Sequence, residues 1–253
     1  MARPSGLALF ALAYAILLEA MLAAAILFWP EFLEMLPKLR SVTSAIPFAG
    51  EMLGNVEQQG LPAYVIGQHF FKGCNALGTA AAVLFAAPAV AGEAHRGTLE
   101  MWLARPFSRT RLLLERWAAG ALALVVPVFL TTLTIPALCA RVDEFEPYMP
   151  YLLCAVQQSL FLLAIYGVTF LCSALGSNPN KIALTVLFVT VFQFALYMIK
   201  TVTHWSLYRL CDMDVLLELY DDGRWSTPIV LSLAGTVAAS LAGSLVVFRR
   251  RCP

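Results

Sequence analysis

The chain has 253 residues, of which 60% are hydrophobic and 13% are charged, and its formal net charge at pH 7 is +1. About a quarter of the residues in a soluble domain are usually charged, so this composition and a mean hydropathy of +0.76 exclude an ordinary soluble domain. The balanced charge gives no indication of nucleic acid as a partner, and membrane lipids are the expected surroundings.

Six apolar stretches are each long enough to cross a bilayer, since about 20 helical residues span about 30 Å of hydrocarbon. They run without polar alternation, which favours helices over strands. The sequence therefore predicts an all-α, polytopic membrane protein, with residues 1–253 forming one transmembrane domain. The predicted spans are about 7–29, 64–91, 118–140, 151–175, 181–199 and 228–248.

Several polar residues fall inside the first two predicted spans. Glu19 and Lys72 lie at matching depths, and because a charge inside a span usually faces a partner, they are predicted to form an ion pair. Gln68, Lys72, Asn75 and Thr79 share one helix face at i, i+4, i+7 and i+11, with His69 beside it. That face either lines a polar pathway or holds neighbouring helices together.

Basic residues concentrate in the connection between the second and third spans, which holds five of the chain's 17 lysines and arginines. Because Lys and Arg accumulate in short cytoplasmic segments, this connection and both termini are expected in the cytoplasm. Ten basic residues then lie inside, against six in the longer loops outside.

Within that connection, residues from Glu93 to Ala104 favour a short amphipathic helix. Leu99, Trp102 and Leu103 form its apolar face, and Arg96 and Glu100 lie beside that face.

The end of this segment is marked by Arg105-Pro106, because the residue before a proline avoids the helical region. Ser108 is the predicted N-cap of a helix that continues into the third span. Arg111 and Glu115 are spaced as an i, i+4 ion pair on that helix.

The loops on the opposite side, 30–63 and 200–227, mix aromatic and acidic residues, which is typical of a helix in the headgroup region. The six cysteines show no metal-ligand spacing, so they are predicted to pack as small apolar residues. With three histidines and no convergent reactive set, the chain is not predicted to be an enzyme or to bind a metal or cofactor.

Residues 91–117, AGEAHRGTLEMWLARPFSRTRLLLERW, resemble the signature of permease subunits of bacterial type-two ABC exporters. That pattern is an acidic residue followed by G-T-L-E-x-x-L-x-x-P-x-S-R. The matching positions are Glu93, Gly97, Thr98, Leu99, Glu100, Leu103, Pro106, Ser108 and Arg109. His95 stands where an acidic residue is usual, and Arg116 stands where lysine is common.

The resemblance implies a multi-pass subunit of a bacterial plasma membrane, paired with a second copy or a homologue and with cytoplasmic ABC ATPase subunits that bind ATP and Mg. It implies that a coupling segment, about 93–109, seats on the ATPase. The residues it assigns to that contact are Leu99, Trp102 and Leu103 as inserted side chains, Arg96 and Glu100 at their flanks, and Arg105 and Pro106 at the turn. A secondary transporter or channel without an ATPase is the alternative, favoured only by Glu19 and Lys72.

Overall fold

The computed structural model describes residues 4–43, 47–99, 101, 108–199 and 201–250, and in these ranges the chain forms helices and connecting turns without a β-strand. Within these ranges, five helices are long and apolar enough to cross a membrane singly, and one bent pair of helices passes the same test when it is taken as a single span, which gives up to six. The spans, numbered in chain order, are Gly6–Leu27, Leu61–Ala86 with Pro88–His95, Arg109–Val142, Tyr148–Leu175, Pro179–Tyr197 and Thr227–Arg250. The prediction of an all-α membrane protein is confirmed.

The fourth span is the centre of the bundle, with 67% of its most apolar window buried, whereas the corresponding figure for the fifth span is 6%. Close packing around the fourth span depends on small residues. A methyl group on Gly120 of the third span would overlap the Tyr166 hydroxyl, and one on Gly167 would overlap the Ser240 hydroxyl of the sixth span. Glycine at these two positions therefore lets the helices approach closely.

The second span is bent by 40° at Ala87, between the helix that ends at Ala86 and the helix that begins at Pro88. Proline has no amide hydrogen, so it cannot continue the hydrogen-bond ladder. The hydroxyl of Ser173, from the fourth span, lies in this gap. It accepts from the amides of Val90 and Ala91, both at 3.0 Å, and donates to the carbonyl of Ala87 at 2.7 Å. Ser173 thereby bonds three backbone groups at the bend to the fourth span.

The middle of the second span, Ile66–Gly78, is a π-helix of 13 residues. A π-helix closes i→i+5 hydrogen bonds and has more residues per turn than an α-helix, and it usually lasts a single turn. Residues spaced for one face of an α-helix are therefore spread around its axis. The π-helix therefore changes the directions in which the polar side chains of this segment point.

Short helices cover the end of the bundle opposite the basic connection, and we call them the cap: Trp29–Thr43, Pro47–Gln59 and Met213–Asp222. Asn55 donates to Asp214 at 3.2 Å and Gln59 donates to Asp221 at 2.8 Å, which joins the second of these helices to the third. The helix Met213–Asp222 buries Leu216 against the bundle. Its apolar side thus packs on protein, and a location of the cap helices in the headgroup region stays a prediction.

Candidate functional site

The connecting loop, residues 96–108, begins with a tight turn. The helix of the second span ends at His95, and Gly97 adopts a φ of 68°, in the left-handed region that favours glycine. The amide of Gly97 bonds to the Ala94 carbonyl at 3.2 Å and the amide of Thr98 bonds to the Glu93 carbonyl at 3.0 Å, which is a Schellman arrangement. The predicted continuous helix from Glu93 is therefore wrong at its start, because Gly97 acts as a helix terminator.

A buried carboxylate holds this turn in place. Glu93 is 0% exposed, and its Oε1 lies 2.7 Å from a guanidinium nitrogen of Arg96 and 3.7 Å from one of Arg116. The hydroxyl of Thr98 donates to the other carboxylate oxygen. We call these four residues the Glu93 clasp. A buried charge needs such partners, and they join the second span, the turn and the third span.

The sequence signature is thus explained in part by the architecture of the chain. Glu93, Arg96, Gly97 and Thr98 were assigned to ATPase docking, and the structure brings them together as the clasp and its turn. Arg116, which sequence reasoning treated as a departure from lysine, is part of the same cluster.

Leu99 follows the turn and is only 8% exposed, as part of the hydrophobic core of its own chain. Its predicted insertion into a partner is therefore wrong for this conformation. Met101, two residues further on, also has a helical backbone and is 64% exposed. Of these two side chains, that of Met101 is therefore the accessible one. Sequence reasoning missed Met101 because it is not on the predicted apolar face.

Five other residues assigned to docking lie outside the described residues: Glu100, Trp102, Leu103, Arg105 and Pro106.

The far end of the loop is built as the sequence predicts. Ser108 is the N-cap of the third span, and its hydroxyl accepts from the Arg111 amide at 3.2 Å. Arg111 and Glu115 form the i, i+4 ion pair at 2.8 Å. Arg109 donates to the carbonyl of Arg249 at 3.2 Å, so the beginning of the third span is also joined to the end of the sixth.

Inside the bundle, the predicted ion pair between Glu19 and Lys72 is wrong. Glu19 accepts from Thr134 of the third span at 3.0 Å, and Lys72 donates to Gln68 of its own helix at 3.3 Å. Matching depth fixes only the height of a residue in the membrane. The direction in which each side chain points depends on helix rotation, which the sequence did not reveal.

The predicted polar face of the second span is divided by the π-helix. His69, which is 1% exposed, contacts the hydroxyl of Thr131 in the third span at 3.3 Å. Asn75 accepts from Gln158 of the fourth span at 2.8 Å and donates to the carbonyl of Cys211 at 3.5 Å. These two residues hold helices together, as one of the two interpretations predicts.

Lys72 instead lines a cavity of about 530 Å³ between the second and fifth spans. Its walls are mainly apolar and include Phe71 from the second span and Leu187 and Phe194 from the fifth. Tyr208, from the segment that joins the fifth span to the cap, closes one side. Pockets of 300–1,000 Å³ with apolar walls and a few polar groups are typical of small-molecule sites. This cavity is therefore the candidate binding site inside the membrane region.

In the described residues, up to six membrane-spanning helices, a clasped loop at one end and an apolar cavity between two spans define a multi-pass membrane protein with a candidate small-molecule site. Residues 20–207 match the family described as ABC-2 family transporter protein. Because that match covers more than half of the chain, the protein belongs to this family and is a membrane subunit of an ABC transporter. A comparison with curated proteins found no match.

Proposed function

We propose that this protein is the permease subunit of an ATP-driven exporter, and that its connecting loop receives movement from a separate ATPase subunit. The observation that carries the proposal is the Glu93 clasp. Since Glu93 contacts both Arg96 in the turn and Arg116 in the third span, a displacement of the turn acts on two spans together. The contact between Arg109 and Arg249 extends the connection to the sixth span.

The partner in this proposal is a cytoplasmic ABC ATPase that holds ATP and Mg, while this chain binds neither. A second copy or a homologue completes the membrane part. The beginnings of the first and third spans and the end of the sixth lie at one end of the bundle. The positive-inside rule assigns that end, with the basic connection, to the cytoplasm of a bacterial cell. Export, as opposed to import, follows the resemblance of the loop sequence.

The exposed side of the loop provides the test. We expect Met101→Glu to lower the amount of ABC ATPase that co-purifies with the tagged permease by about tenfold, because a charge would replace an apolar contact. Phe145→Glu is the matched control, since Phe145 is 90% exposed at the opposite end of the bundle.

Two results would count against the proposal. Unchanged co-purification with Met101→Glu would show that this side of the loop does not contact the ATPase. A wild-type permease that never co-purifies with an ATP-hydrolysing subunit would refute the assignment itself. Direction is measured separately, by following ATP-dependent movement of a substrate in inside-out vesicles.

A further inference from the structure

We propose that the cavity between the second and fifth spans binds an anionic amphiphile, a molecule with an apolar body and one acidic group. Lys72 is the single charged side chain among the described residues that line the cavity. The idea that this protein transports such a molecule rests on the function proposed above. The binding of such a molecule in the cavity does not depend on an ATPase.

Glu19, the acidic residue predicted to pair with Lys72, does not compensate the charge of Lys72. Within the described part of the chain, its ammonium bonds to the Gln68 side-chain oxygen at 3.3 Å, a neutral amide, while Glu19 bonds to Thr134. A charge within a span is costly, and its attraction for an opposite charge is stronger in apolar surroundings than in water. The position therefore favours an acidic group of a ligand as the partner of Lys72.

The other polar groups of the cavity are poorly suited to select a ligand by charge. The amide of Asn75 is already bonded to Gln158 and to the Cys211 carbonyl. Thr79 and Thr190 are neutral and buried. The remaining wall is aliphatic and aromatic, which suits a hydrocarbon body. The cavity thus offers one cationic contact at the side of an apolar volume.

A direct binding measurement tests this proposal on the purified permease in phosphatidylcholine nanodiscs, without ATPase. The probes are 11-(dansylamino)undecanoic acid and its methyl ester, which have the same body and differ in charge. We expect the wild type to bind the acid about tenfold more tightly than the ester. The absence of saturable binding of the acid would overturn the proposal.

Substitutions of Lys72 test whether its charge causes the preference for the acid over the ester. Lys72→Met should bind the acid and the ester alike, whereas Lys72→Arg should keep the preference. Lys181→Met is the control, because Lys181 is an exposed lysine that does not line the cavity. If Lys72→Met still prefers the acid, Lys72 only extends toward the headgroups and the proposal is wrong.

Filling the cavity tests the location of the ligand independently of charge. Ala76 lines the cavity, so Ala76→Trp should abolish binding of both probes. Ala119→Trp is the matched control, because Ala119 lines a separate groove between the first and third spans. Normal binding to Ala76→Trp would place the ligand elsewhere and overturn the proposal.

The acidic group could belong to a membrane phospholipid or to a soluble acid, and nanodiscs that contain phosphatidylglycerol separate these sources. Displacement of the probe by this lipid would support a lipid as the natural occupant, and unchanged binding would support a soluble acid. Because no measurement in this series requires the ATPase, failure of the proposed coupling leaves these results intact. Likewise, failure of binding leaves the Met101 co-purification test unaffected.

Discussion

One hydroxyl group, that of Ser173, stabilises the bend of the second span, and Ser173→Ala removes it. This hydroxyl accepts hydrogen bonds from Val90 and Ala91 and donates one to Ala87, with all three distances between 2.7 and 3.0 Å. Ser173 is fully buried, so water does not take its place in the intact bundle. The substitution therefore removes three hydrogen bonds to backbone groups at the bend.

The expected cost follows from these three bonds. A net contribution of about 0.5–1.5 kcal/mol for each bond gives a loss of about 1.5–4.5 kcal/mol. A buried group left unpaired costs more, about 1–3 kcal/mol, but the Ala91 amide regains part of this by bonding to the Ala87 carbonyl. We expect a decrease of about 2–4 kcal/mol in the free energy of unfolding, which is large for the loss of one oxygen atom.

The measurement is equilibrium unfolding of the purified permease in mixed detergent micelles, with Ser244→Ala as the control. Ser244 is equally buried, but its hydroxyl donates only to the Ser240 carbonyl of its own helix, at 2.7 Å. Its replacement should cost less than about 1 kcal/mol, because that carbonyl also belongs to the helical ladder. Equal losses for the two variants would refute the idea that Ser173 stabilises the bend.

Three further substitutions test other parts of the structure by the same unfolding measurement. Thr98→Val should cost about 1.5–3 kcal/mol, because it removes a hydrogen bond to the buried carboxylate of the clasp, and a loss near zero would contradict that. Gly120→Ala should cost about 1–3 kcal/mol because its methyl group overlaps Tyr166, whereas Gly235→Ala, with nothing within 4 Å, should not destabilise. Burial raises the pKa of Asp212 from 3.8 to about 6, so the folded state holds this proton more tightly than the unfolded state. Its contribution to stability should therefore fall as the pH rises from about 4 to 6, and Asp212→Asn should remove that dependence; an unchanged pH profile would contradict the role of burial.

The spans could be predicted from the sequence because each is set by its own run of apolar residues and by backbone bonds within the run. Sequence signals that depend only on neighbouring residues also predicted the structure correctly, for the same reason. Ser108 caps the helix three residues before Arg111, and Arg111 and Glu115 are neighbours on one turn. Such contacts need no knowledge of how the helices pack.

The contacts between spans were not predictable in the same way. Glu19 reaches Thr134, and Ser173 reaches the bend at Ala87, because of helix rotations that no local pattern encodes. The π-helix also changed the directions of side chains that an α-helical spacing placed on one face. Leu99 was assigned to an outer face although the turn at Gly97 directs it into the core.

The fifth span, Pro179–Tyr197, has a practical consequence for anyone who purifies this protein. Thr190 is the one buried residue in that helix, so the rest of the chain contributes little to holding it. Segments with few buried contacts open at lower free energy than the core around them. Harsh detergents should therefore loosen this helix first, while the central fourth span keeps the helical signal nearly unchanged. A preparation that looks folded by circular dichroism would then already have lost one wall of its cavity, so lipid discs are the appropriate setting for ligand measurements.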